Sequence, residues 1–256
     1  MAAMQGSTEL AAGNAVGTVI SNTGLILGIA FFFMNITIRR RDYLVQSLLL
    51  IFSAAVIWWG CQNGFLSTPA TILLMLFFFI FVYRNLSAGR QHRQHTRETR
   101  EHMDTSRRNI IRNMLGFFFG AAAILIGSRL MVFGGTSLAQ LLGIPERIIG
   151  ITVVAVGTSI PELVTTLAAI RKNEHDLSAG NIIGANILDL TLILPLCSLA
   201  SGKPLPVAPS AVTFDLPACL LITLIGILPL LIREKAGRIQ GLLLLASYAA
   251  YLVVIL

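Results

Sequence analysis

Leu10-Ala11-Ala12-Gly13-Asn14-Ala15-Val16-Gly17 recurs further along the chain as Leu177-Ser178-Ala179-Gly180-Asn181-Ile182-Ile183-Gly184. The likeness runs on to Leu25-Ile26-Leu27 against Leu192-Ile193-Leu194, at a constant offset of 167 residues. Nine of the 19 positions from Leu10 to Gly28 are identical, and each copy carries a lone polar side chain at the same place, Asn22 in one and Asp189 in the other. Both copies lie in strongly apolar surroundings. A duplication with matched polar residues at membrane depth is the pattern of repeats packed around a shared site.

Composition places the chain in a bilayer. It is 55% hydrophobic and 12% charged, with mean hydropathy +0.79, against about 25% charged in soluble domains. Cys61, Cys197 and Cys219 fit neither a disulfide framework nor a metal-ligand spacing and read as packing residues.

Crossing a bilayer takes about 20 apolar residues. Eight such stretches are read, near 15–37, 43–60, 68–84, 111–133, 147–170, 178–200, 212–232 and 239–256. All but three of the 19 basic residues fall in loops after odd-numbered spans; the exceptions are Arg129, Arg147 and Lys203. Basic loops stay in the cytoplasm, so both termini are expected to face outward. Spans 1 and 6, which hold the two copies, then run in opposite directions.

The polar stretch 84–110 divides three spans (1–83) from five (111–256) and is read as a cytoplasmic basic loop. Its charge and its histidines, His92, His95 and His102, raise nucleic acid, anionic lipid or a metal as partners. A solvated linker that anchors topology is the simpler reading, and no nucleic-acid role is expected. Asn35-Ile36-Thr37 and Asn85-Leu86-Ser87 match the glycosylation pattern but lie at cytoplasmic span ends and are set aside.

The fifth span contains Gly157-Thr158-Ser159-Ile160-Pro161-Glu162. Pro161 lacks the N–H that would bond to the Gly157 carbonyl, so an interruption is expected there, with carbonyl oxygens freed around Gly157 and Thr158. Irregular backbone at this depth is tolerated where it lines a cavity, and an intramembrane carboxylate such as Glu162 marks an ion or proton path. In the sixth span Asn186 and Asp189, three apart, share a helix face. Two carboxylates, an amide, hydroxyls and carbonyls suit hard cations such as Ca²⁺ and Na⁺, not transition metals.

The stretch Gly157 to Asp189 resembles the second α-repeat of sodium/calcium exchangers in the Ca²⁺:cation antiporter superfamily. The segment Gly13 to Asn22 is similar to the rear of the first α-repeat. The resemblance implies an all-α polytopic membrane protein with two inverted α-repeats packed face to face. It also implies exchange of Ca²⁺ for Na⁺ by alternating access in a bacterial-type inner membrane. Both ions would be transported substrates, with no enzymatic step and no cofactor.

Carried over, Glu162 is the main Ca²⁺ ligand of this half, Thr158 offers a carbonyl and Ser159 a hydroxyl, and Asp189 and Asn22 line the site with Asn186. Two departures stand out. The offset puts the partner of Glu162 before residue 1, since Glu9 aligns with Asp176, so the fold is expected to lack its first two helices. Ala185 replaces the usual serine, and Thr18 holds that place in the first copy. Other readings are a proton-coupled cation exchanger, a non-transporting membrane fragment, or a hydrolase using Ser159. The last has no His or Lys base nearby within the spans.

Overall fold

Lipid offers no partner to a backbone N–H or C=O, so an apolar run of crossing length must satisfy its own hydrogen bonds as helix. The computed structural model describes residues 8–98, 107–144, 146–172, 175–202 and 204–255. Seven of its helices are long and apolar enough to cross: Ala12–Phe33, Arg40–Gly60, Thr68–Ser87, Ile111–Leu141, Ala179–Ala200, Ala211–Arg233 and Arg238–Ile255. A bent pair, Thr152–Thr158 and Ile160–Lys172, meeting at 48°, is together long and apolar enough to make an eighth. The expected all-α polytopic fold is therefore the observed one.

Along the chain, α1 (Thr8–Ser21) passes through a π turn (Asn22–Leu27) into α2 (Gly28–Phe33). After β1 (Ile36–Thr37) come α3 (Arg40–Gly60), α4 (Thr68–Glu98) and α5 (Arg107–Leu141). The broken span is α6 (Glu146–Ile149), a π turn (Gly150–Val154), α7 (Ala155–Thr158) and α8 (Ile160–Lys172). Then α9 (His175–Leu188) passes through a second-copy π turn (Asp189–Ile193) into α10 (Leu194–Ala200). A π turn (Ala211–Asp215), α11 (Leu216–Arg233), β2 (Lys235–Ala236) and α12 (Arg238–Ile255) complete the fold. The two copies thus share a helix–π turn–helix form, and each π turn begins at the duplicated polar residue.

One expectation is corrected. The stretch 84–110 is not a loop throughout, because α4 continues to Glu98 and α5 begins at Arg107. Residues 99–106, with His102, lie outside the described residues. The segment 85–98 holds three Arg and two Gln, with one each of Leu, Ala and Glu, and lacks proline. Once the apolar turns have nucleated a helix, each further residue is added at little cost.

The three-span and five-span parts interleave: α3 packs on α11 and α9, and α12 packs on α2. Two short backbone clips tie the parts together at opposite ends of α3. At one end β1 pairs antiparallel with β2, Ile36 opposite Ala236. At the other, Leu66 N donates to the Leu205 carbonyl at 2.8 Å and Val207 N to the Gly64 carbonyl at 2.9 Å. Arg40 finishes α11 by donating through Nε to the Leu231 carbonyl (2.8 Å) and through Nη2 to that of Ile232 (2.7 Å). These are carbonyls a helix end leaves without an internal partner. The Ala12–Phe33 span is 78% buried, whereas the Ile111–Leu141 span is 6% buried and presents its apolar side chains outward, toward lipid.

Candidate ion-binding site

The site is organised by the break in the fifth span. Pro161 starts the new segment, and the missing N–H leaves the Gly157 carbonyl open. That oxygen, expected to be free for a ligand, accepts from Ser128 Oγ of α5 at 2.6 Å, which takes up one of its two lone pairs. The Ala155 carbonyl receives Ser159 N at 3.1 Å, Ser159 Oγ at 2.8 Å and Thr158 Oγ1 at 3.1 Å. Ser159, buried at the hinge, is thereby held in place. Glu162 sits in the first turn of α8, where the N-terminal end of the helix dipole favours a carboxylate.

Against this break lies the first copy, with α1 packed on α7 and on the π turn before it. Thr18 Oγ1 lies 3.2 Å from Thr158 Oγ1, and Asn14 Oδ1 lies 3.4 Å from that same oxygen. Deeper, Asn22 Nδ2 donates to Asn186 Oδ1 at 2.9 Å, and Asn186 Nδ2 donates to Thr23 Oγ1 at 2.8 Å. Asn22, Thr23 and Asn186 are all buried. On the far side of the break, Thr165 Oγ1 donates to the Glu162 carbonyl at 2.9 Å and accepts from Asn181 Nδ2 at 3.0 Å.

Glu162 and Asp189 are both half-buried. Among the described residues, Glu162 Oε2 and Asn22 Oδ1 are buried oxygens with no hydrogen-bond partner. Such orphaned acceptors cost free energy unless something positive fills the space beside them. Among the described residues no three His, Cys, Asp or Glu are grouped so that they could hold a metal ion by themselves. A cation here would meet two carboxylates and neutral oxygens, a donor set for hard ions.

Of the seven residues singled out from sequence, Thr18, Asn22, Thr158 and Asn186 join through the contacts above, and Ser159, Glu162 and Asp189 stand beside them. Asn14, Thr23 and Ser128 were not singled out. Asn14 carried a signal, since it lies inside the duplicated run. For Ser128, Pro161 marks the open carbonyl but nothing local marks the hydroxyl that reaches it.

A duplicated, oppositely directed helix pair around a carboxylate-bearing helix break is the construction of a membrane cation exchanger. The comparisons agree. The chain belongs to the sodium/calcium exchanger protein family, whose model matches residues 1–86 and 112–256. It is 32% identical to the inner membrane protein YrbG of Escherichia coli over 263 residues, covering 99% of this chain and 79% of YrbG. Against the sodium/calcium exchanger MaX1 of Methanosarcina acetivorans the identity is 42% over 134 residues, covering 52% of this chain and 38% of that one. The structure superposes on the sodium–calcium exchanger NCX_Mj soaked with 2.5 mM Na⁺ and 0.1 mM Ca²⁺ with TM-score 0.73 at 28% identity. That alignment covers 98% of this chain and 78% of NCX_Mj.

Proposed function

We propose that the protein exchanges Ca²⁺ for Na⁺ across a bacterial-type inner membrane by alternating access, with its basic loops in the cytoplasm. The observation that carries this reading is the buried, unpartnered Glu162 Oε2 at a helix break closed over by the duplicated segment. Glu162 and Asp189 supply the charge that draws a divalent ion out of water. Asn22, Asn186, Thr18, Thr158 and Ser159 supply neutral oxygens that replace its hydration shell. One Ca²⁺ or several Na⁺ occupy overlapping oxygens, so the two loads exclude one another and exchange follows. No covalent step is involved, and the ion gradients and membrane potential supply the driving force.

The test is uptake of radiolabelled Ca²⁺ by vesicles containing the reconstituted protein and loaded with Na⁺. Uptake should require the outward Na⁺ gradient and vanish in Glu162→Gln. Uptake driven by a pH gradient with no Na⁺ present would replace Na⁺ by H⁺ as the coupling ion. Undiminished uptake in Glu162→Gln would remove this residue from the site.

A further inference from the structure

Pro229 lies inside α11 and leaves the Ile225 carbonyl, four residues earlier, without its helical N–H. Gln240 of α12 fills that gap, Nε2 donating to the carbonyls of Ile225 at 3.1 Å and Gly226 at 2.7 Å. Around this stitch runs an open groove of about 870 Å³ between α11, β2 and α12. Arg233, Lys235 and Arg238 line its polar end, and Pro229, Ile239 and Leu243 its apolar length.

The three cations are exposed, and among the described residues no ion pair or hydrogen bond engages their side chains. The adjacent acid does not neutralise them by contact, because Glu234 Oε1 accepts from the backbone N of Arg40 at 3.0 Å. Arg40 in turn is occupied with the end of α11. Ile239 and Leu243 are 79% and 55% exposed on a span that crosses the bilayer. Free cations at the polar boundary above an apolar wall complement one molecule with both features: a phosphate headgroup and an acyl chain. Inorganic phosphate would leave the apolar wall uncovered, and a zwitterionic headgroup would bring a cation against three others.

We propose that this α11–β2–α12 groove binds an anionic phospholipid, its phosphate held by Arg233, Lys235 and Arg238 and one acyl chain lying over Pro229, Ile239 and Leu243. The lipid clamps α11 to α12 across the notch that Pro229 opens. The site is independent of the exchange reading and can fail or stand without it.

The test is retention of phosphatidylglycerol by the whole chain in neutral detergent, followed by native mass spectrometry and by the rise in Tm. Phosphatidylglycerol should be retained in preference to phosphatidylcholine. Lys235→Gln with Arg238→Gln should weaken its binding about thirtyfold, at about 1 kcal/mol per basic residue at the membrane surface. Arg171→Gln with Lys172→Gln, an equal loss of charge at the same end of the bundle, should leave binding within about twofold. Leu243→Trp narrows the acyl path without touching charge and should also weaken retention. Equal loss in the two charge pairs would reduce the effect to general surface attraction and overturn the site. Equal retention of the two lipids, or displacement by inorganic phosphate, would overturn it as well.

Discussion

The two copies of the duplicated segment share a backbone and differ in chemistry. Both pass from helix through a π turn into helix, with the turn opening on Asn22 in one and Asp189 in the other. The first copy is sheathed by protein: Asn22 is fully buried, and α2 behind it packs on α12. The second is half open, with Asp189 partly accessible. Asn186 of the second copy reaches across to Asn22 and Thr23, while its counterpart by offset is Val19, which cannot reach back. The fold was duplicated and the polar groups then diverged. Of the matched pair Asn22 and Asp189, only the second-copy member is ionisable, and α1 of the first copy packs on the π turn that carries it.

Substitutions that erase this difference should reveal what it does. The largest effect is expected from Asp189→Asn, which gives the second copy the amide of the first. On the proposed exchange of Ca²⁺ for Na⁺, loss of one of the two carboxylates should lower Ca²⁺ uptake at least about a hundredfold in reconstituted vesicles. Gly241→Ala strikes the packing around the first copy, since a Cβ there would stand 2.5 Å from Phe32 N and 2.7 Å from the Gly28 carbonyl. α12 would have to lift off α2, with a loss of about 2–3 kcal/mol measured as reduced stability in detergent.

Asn186→Val copies Val19 into the second segment and strands the Asn22 amide. A cost of about 1–2 kcal/mol is expected in the same measurement. An unchanged stability would show that the amide bridge is not what joins the copies. Ala185→Ser, the mildest change, returns a hydroxyl to the place that Thr18 holds in the first copy. It should lower the Na⁺ concentration for half-maximal exchange by about two- to threefold, the scale of one hydrogen-bond-strength contact.

Much of this was legible in the chain. Apolar length set the eight crossings, because lipid admits few other solutions for a backbone of that composition. Pro161 four residues after Gly157 marks the break, and the repeat offset by itself pairs Asn22 with Asp189. Less visible was the continuation of α4 to Glu98, because a charged run without proline continues a helix as readily as it forms a loop. The π turns were also hidden, as a single extra residue per turn leaves no mark on hydropathy.

By itself the sequence determined which segments enter the bilayer, where one of them breaks and which residues carry oxygen to that depth. These depend on properties of neighbours along the chain: hydrophobicity, a missing N–H, a repeated motif. Tertiary structure alone decided that Asn186 bonds Asn22 and Thr23, that Ser128 donates to the Gly157 carbonyl, and that Glu162 keeps an unpartnered oxygen. The Asn186 partners stand more than 160 residues away, and which donor reaches which acceptor is settled by how the helices pack.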